Sequence, residues 1–286
     1  MELTKKKITR FTEFCRRLAK GWSSKLGLIL FAVIILACII GPYLTPYGVN
    51  EYNIAAIKAG PSFEHWCGCD SMGRDLLTRL LYGGRYSLLL GLLVSVISAL
   101  LGSVLGLVAG YNGGAVDSVL MRFVDVWSAL PAMLLCIIVS AFLGNGFFPT
   151  VIALMVGNIP NMARMIRGQV LSERTREYME ASKMINCSVG TILFRHLLPN
   201  TIQPIIITTT MSMGNTISMA ASLSFIGLGI APPDPEWGAL LADGRSEILK
   251  YPHLIMFPGI IIALTVLALN LVGDGLRNAL DPKLRD

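Results

Sequence analysis

Apolar positions in this chain gather into long runs separated by short polar breaks. Six runs stand out, at 26–44, 87–109, 119–143, 150–166, 202–228 and 254–272. A helix needs about 20 mostly apolar residues to cross a bilayer, so each run predicts a spanning helix. Polar stretches join them at 45–86, 111–117, 144–149, 167–200 and 230–253. The run at 150–166 is interrupted by Asn158, Pro160, Asn161 and Arg164. Lipid offers such groups no partner, so they are expected to face protein or a water-filled path.

Composition narrows the class. Of 286 residues, 53% are apolar and 15% charged, and mean hydropathy is +0.63; a soluble domain carries roughly 25% charged residues. That apolar excess does not fit inside one globular core, which excludes a disordered chain and an ordinary soluble enzyme. The expected fold is an all-α polytopic membrane protein with six transmembrane helices. An even number of spans puts both termini on one side. On that side fall 18 Lys and Arg, against 6 on the other, with formal charges of +8 and −2. Basic residues stay cytoplasmic, so both termini and the 167–200 loop are expected in the cytoplasm, with 45–86 and 230–253 outside. The basic N-terminal arm precedes an apolar run without a clear small-residue cleavage site, which reads as a first span and not a cleaved leader.

The 167–200 loop carries the densest pattern. Tyr178, Ala181, Ser182 and Ile185 share one helical face. Arg176–Glu180 and Glu180–Lys183 are spaced to pair on another. Asn186 tolerates the left-handed conformation that stops a helix. Ser188 is placed to cap a second short helix, which Pro199 is expected to end. The loop is then either a solvated helix or a lever that docks into a partner's groove. Sequence physics alone leaves both open.

The same loop resembles the EAA motif of importer permeases of the ATP-binding-cassette (ABC) class: Glu-Ala-Ala, three residues, Gly, nine residues, Ile-x-Leu-Pro. The opening triplet falls on Glu180, Ala181 and Ser182, the Gly position on Asn186, and the closing residues on His196, Leu197, Leu198 and Pro199. Ser182 replaces an Ala, Asn186 the Gly, and His196 the Ile, the last being usual in the peptide-type branch. Further stretches agree: Gly68-Cys-Asp-Ser-Met-Gly-Arg-Asp75, Leu223-Ser-Phe-Ile-Gly-Leu-Gly229, Trp237-Gly238, and the end from Leu264 through Pro282. The pattern is similar to the second, "C"-type permease subunit of dipeptide, oligopeptide and nickel importers.

That resemblance implies a type I ABC importer transmembrane fold in the bacterial inner (cytoplasmic) membrane. Its implied divisions are a basic arm at 1–25, a first span and external segment at 26–86, a core at 87–275 and a tail at 276–286. It implies a heterodimer with a homologous permease, two cytosolic ATP-binding subunits, an external solute-binding protein, and no nucleic acid. Glu180, Ala181, Ser182, Asn186, His196, Leu198 and Pro199 would couple to the ATPases. ATP and Mg²⁺ would be bound by those partners, since this chain has no Gly-x-x-x-x-Gly-Lys-Ser/Thr phosphate loop. The implied cargo is a short peptide; nickel, a metal–chelator complex and glutathione are alternatives.

Other positions carry smaller expectations. Gly102, Gly106 and Gly110 line one helix face and allow close packing, within this subunit or at a heterodimer seam. Asn158, Gln203, Thr208 and Asn215, with Asn145, Thr209 and Ser218, are candidates for the path or for buried hydrogen bonds. Ala220 stands where family members often carry an acid. Arg122 and Asp125 are spaced to pair. His65, Cys67 and Cys69 invite a metal reading, but the set is cramped and short of donors; an oxidised cysteine pair or loop packing is the alternative. An ion-coupled transporter would need ionisable residues at mid-membrane, and an intramembrane enzyme a nucleophile–base pair or metal site. The sequence shows neither constellation.

Overall fold

The computed structural model describes Leu18 and residues 21–280. Most of the basic arm, with Cys15, and the 281–286 tail lie outside the described residues. Nine helices of seven residues or more occur among the described residues. In chain order they are α1 Trp22–Leu44, α2 Leu76–Asn112, α3 Gly114–Trp127, α4 Ala132–Leu143, α5 Phe147–Arg174, α6 Glu177–Met184, α7 Leu198–Phe225, α8 Trp237–Asp243 and α9 His253–Leu280. No strand occurs among the described residues; Cys69 and Asp75 form one isolated bridge.

Three helices, α1, α2 and α9, are long and apolar enough to cross a membrane. The expected 119–143 span is instead two helices, α3 and α4, bent by 74°; taken as one broken span they make a fourth. The cause is local. Pro131 lacks an N–H and disfavours helix at Leu130, while the Ser128 hydroxyl folds back onto the Val124 carbonyl at 2.7 Å and closes α3. The expected 150–166 and 202–228 spans lie on α5 and α7, each 28 residues long but interrupted by polar side chains.

Helix α2 begins at Leu76, eleven residues before the apolar run predicts. Its polar first turns are satisfied locally: Asp75 caps the helix by accepting the Thr78 N–H at 2.7 Å. Arg85 donates to the Cys38 and Ile39 carbonyls of α1 at 2.9 and 2.8 Å. Pro42 within α1 has no N–H to offer the Cys38 carbonyl, and Arg85 fills that vacancy from the neighbouring helix.

The glycine stripe settles its own question. A Cβ on Gly102 would lie 2.5 Å from Met162 Cβ. One on Gly106 would lie 2.7 Å from the Ala163 carbonyl, and one on Gly110 2.8 Å from Val170 Cβ. All three contacts are with α5 of the same chain, so the stripe packs within the subunit. Asp125 pairs with Arg164 of α5 at 3.4 Å and not with Arg122. The expected pairing lost because α5 runs alongside α3 and offers a guanidinium at closer reach. A second tie, not foreseen, joins the same helices: the Arg167 fork grips both carboxylate oxygens of Asp117 at 2.5 and 2.6 Å.

Candidate functional site

The site is built where α5 ends. Helix α5 continues to Arg174, so the loop proper is shorter than 167–200. Thr175 turns the chain into α6. Met179 is fully buried and Ser182 is 6% exposed. Tyr178 is half-buried and donates its hydroxyl to Glu173 of α5 at 2.8 Å. Ala181, expected to share a face with Tyr178 and Ser182, is exposed instead, and Ile185 is 75% exposed. The inward stripe is therefore Tyr178, Met179 and Ser182, because Met179 fills the gap between α2, α5 and α7. It packs there with Leu107, Ile166, Val170, Ile192 and Leu197.

Arg176 pairs with Glu173 at 2.9 Å and not with Glu180, since Glu173 is already held near by Tyr178. The Glu180–Lys183 pairing involves a side chain outside the described residues. Helix α6 ends as a Schellman motif. Asn186 has φ of 53°, and the Cys187 N–H reaches back to the Ser182 carbonyl at 3.1 Å. Asn thus supplies the left-handed residue for which Gly is the usual choice. Ser188 then caps a helical turn, Val189–Thr191, accepting the Thr191 N–H at 3.3 Å.

Pro199 does not end the second helix. The turn widens into a π-helical stretch, Ile192–Leu197, and runs without a break into α7. The Leu198 N–H bonds the Leu193 carbonyl, five residues back. The wide turn carries the chain past a proline that lacks a donor and whose ring an α-turn would crowd. His196, half-buried, lies beside Tyr178 with ring centroids 6.5 Å apart. Asn200 bonds both the Tyr178 hydroxyl at 3.3 Å and the His196 carbonyl at 2.7 Å. Burial, then the Glu173 carboxylate, pushes the Tyr178 phenol up to about 12, so it remains a neutral donor at any physiological pH.

The two ends of the motif are thereby drawn together. Ser182, His196 and Leu198 face the base, while Glu180, Ala181, Asn186 and Pro199 remain exposed. Met184 at 88%, Ile185 at 75% and Val189 at 53% exposure add an apolar edge. The contacts among residues 173, 178 and 200 were not legible in the sequence; a Tyr five residues after an acid was the available signal.

The path candidates do not converge. Asn158 turns inward, donating to the Leu154 carbonyl at 3.0 Å and the Thr216 hydroxyl at 3.4 Å. Gln203 and Thr208 are half-buried along α7, and Asn215 is exposed. Of the candidates, Thr209 reaches a cavity of about 600 Å³ between α1, α2, α7 and α9, whose polar lining is Ser95, Ser103, Thr209 and Thr210 among apolar side chains.

At the other end of α2, the Gly68–Asp75 stretch forms a buried knot. Asp70 accepts the Met72 and Arg74 N–H groups, each at 2.9 Å, and the Arg74 guanidinium at 2.6 Å. Gly73 has φ of +77°, and a Cβ there would meet the Asn53 carbonyl. His65 lies 2.9 Å from Asp75. Cys67 and Cys69 are separate thiols in this structure, and burial pushes each up to about 11. His65 points to Asp75 while the thiols pack in the loop. Among the described residues no cluster of three or more His, Cys, Asp or Glu is arranged to hold a metal.

Comparison with known proteins matches this architecture. Residues 102–286 match the family described as binding-protein-dependent transport system inner membrane component. Residues 9–61 match the N-terminal transmembrane domain of oligopeptide transport permease C. The chain is 42% identical over 278 residues to a glutathione transport system permease protein, GsiD, of Pectobacterium atrosepticum, covering 97% of this chain and 92% of the relative. It is 40% identical over 278 residues to a dipeptide transport system permease protein, DppC, of Alkalihalophilus pseudofirmus, covering 97% and 91%. A chain of the inward-facing MetNI methionine ABC transporter shares the fold, with a TM-score of 0.56 at 18% identity, covering 71% of this chain and 97% of that one. The chain therefore belongs to the binding-protein-dependent inner membrane components, and is a permease of the ABC importers in their peptide and nickel branch.

Proposed function

We propose that this chain forms one half of the translocation pathway for short peptides, with glutathione, itself a tripeptide, inside the same cargo class. Its partner would be a homologous permease. Two cytosolic subunits would bind ATP and Mg²⁺, and an external binding protein would deliver the solute. The chain would cross the bacterial inner membrane six times, by α1, α2, the bent α3–α4 pair, α5, α7 and α9, with both termini in the cytoplasm. Its internal divisions would fall at 1–25, 26–86, 87–275 and 276–286. The cargo reading is supported by relatives named for glutathione and dipeptide transport.

One observation carries the mechanism: α6 presents an exposed acid and an apolar edge while its other side is locked into α5 and α7. Closure of an ATPase dimer needs a rigid projection to push on. Glu180, Ala181 and Asn186, with Pro199 at the root of α7, would meet the ATPase; Ser182, His196 and Leu198 would hold the projection to its base. ATP binding would then favour an outward-open state through its differential affinity for the two states. Asn158, Gln203, Thr208 and Asn215 would lie along the path, with Asn158 acting through its bond to Thr216.

The test is to purify the chain with its operon neighbours and reconstitute uptake. Glu180→Lys is expected to abolish peptide-stimulated uptake while leaving the chain in the membrane. Copurification with no ATPase, together with full uptake by that variant, would show the reading to be wrong.

A further inference from the structure

A second cavity, of about 610 Å³, opens beside the end of α1 that leads into the 45–75 segment, within the size range of small-molecule sites. Leu77 and Leu81 form its inner wall, and the exposed Leu44 its edge. Its rim carries Phe63 and Trp66, which are 103% and 72% exposed, and the exposed Glu64. Tyr47 closes one side, its ring packed 4.7 Å from and tilted 34° to His65, and its hydroxyl bonded to the Glu64 main-chain carbonyl at 3.2 Å. None of this belongs to the cytoplasmic hairpin described above.

The proposed crossing by α1 would put the cavity at headgroup depth. Helix α1 has 23 residues and a length of about 34 Å, against a hydrocarbon core about 30 Å thick. Its last turn, with Tyr43 and Leu44 at 78% and 77% exposure, therefore emerges where aromatic side chains favour the interface. A soluble loop does not leave Phe63 and Trp66 bare beside a leucine-walled cleft; an interfacial one does.

Charge selects the occupant. Among the described residues no Lys or Arg lines the cavity, whereas Glu64 and Asp75 do. Asp75 is engaged by His65 and Thr78, which leaves Glu64 as the acid at the mouth. The same field acts on Tyr47: burial first, then Glu64 and Asp75, hold its phenol above the ordinary value. Carboxylate beside aromatic faces is a setting for an ammonium group.

We propose that this cavity binds a phospholipid whose headgroup ends in an ammonium, with the ammonium at Glu64 between the aromatic rims and the chain origins against Leu44, Leu77 and Leu81. The inference requires that α1 crosses the bilayer; it holds whichever solute is imported.

The experiment uses the whole importer complex, delipidated in detergent and titrated with phosphatidylethanolamine, phosphatidylcholine or phosphatidylglycerol of matched chains, with retained lipids counted by native mass spectrometry. Phosphatidylethanolamine is expected to be retained about 1.4- to fivefold over phosphatidylglycerol, the range of a single exposed ion pair. Phosphatidylcholine is expected between them. Glu64→Gln, at an exposed position that does not threaten folding, should erase the preference, and Glu64→Lys should reverse it. Phe63→Ala with Trp66→Ala should lower retention of all three. Equal retention by the unaltered complex, or an undiminished preference in Glu64→Gln, overturns the proposal. So does a loss of binding-protein affinity in Glu64→Gln with lipid retention unchanged, which would assign the cavity to a protein side chain.

Discussion

The α2–α5 seam offers the sharpest test of the fold, through Gly106→Ala. The added methyl would lie 2.7 Å from the Ala163 carbonyl, 2.8 Å from the Arg167 nitrogen and 2.9 Å from Ile166 Cβ. Two of the three are backbone atoms of a neighbouring helix, which cannot swing aside as the end of a side chain does. The helices must part, and overpacking of this kind costs about 1–3 kcal/mol. Against it stands a gain of roughly 1 kcal/mol, because Ala is the better helix former. Gly168→Ala on α5 separates the two effects: nothing lies within 4 Å of its Cβ, so it carries the propensity gain alone. The difference between the two variants is then the cost of parting the seam. Thermal unfolding of the purified complex should place Gly106→Ala below Gly168→Ala by roughly 2–6 °C, given about 2 °C per kcal/mol for a chain of this size. Equal midpoints would mean that α2 and α5 do not meet along the glycine stripe, and the packing argued above would fail.

Other consequences are equally specific. Asn186→Val forces a β-branched residue to φ of 53° at a cost of about 1–2 kcal/mol; uptake should fall and ATP hydrolysis should lose its response to solute, whereas Asn186→Gly should leave both intact. Arg85→Leu strands the Cys38 carbonyl that Pro42 leaves without a helical donor, which costs about 1–3 kcal/mol if it stays dry; limited proteolysis after α1 should quicken. The Lys58–Glu247 pair, at 2.6 Å, clasps the 45–75 segment to the stretch before α9. The Lys58 hydrogen bond lowers the Glu247 carboxyl below its ordinary 4.5, and the same bond raises Lys58 above 10.5. The Glu247 contribution is therefore complete above pH 4.5 and lost as pH falls through the lowered value. The Lys58 contribution is complete below 10.5 and lost as pH rises through the raised one. Spin labels at Gly60 and Leu249 should report one sharp distance across the neutral range that broadens in acid, and Glu247→Gln should broaden it at every pH.

The apolar runs located the long helices because burial in lipid is decided residue by residue, and hydropathy carries that information. They misjudged α2 and the α3–α4 bend because both depend on partners distant in sequence. Arg79 and Arg85 read as polar, yet Arg79 bonds the Val49 and Pro233 carbonyls and Arg85 serves α1, so each sits inside a helix whose run begins only later. The Asn186 stop and the Ser188 cap were legible since they depend on their own backbone. The inward face of α6 was only half legible. A helix of eight residues has room for two overlapping stripes, and the choice of Met179 over Ala181 was made by a gap between three other helices. Pro199 misled for a related reason: a lone proline reads as a stop, and a π-turn that carries the helix past it shows in the backbone hydrogen bonds, not in the residue types.

The arrangement around α6 also bears on how a push applied there would travel under the proposed mechanism. Toward α5 the route is stiff: the Tyr178–Glu173 bond is short, and α5 is pressed against α2 through glycines that bring backbone to backbone. A displacement of α6 must therefore move α2 and α5 as one body, with α3 drawn along by the Asp117–Arg167 fork. Toward α7 the route is softer. The connection passes through Ile192–Leu197, where hydrogen bonds span five residues, and through Pro199, where one is missing. A load delivered to one hairpin but carried by one stiff arm and one compliant arm turns into relative motion between the two helix groups. Relative motion of packed bodies about a compliant joint is what a gate requires, and a uniform helix across residues 192–199 would move both groups together and leave the passage unchanged.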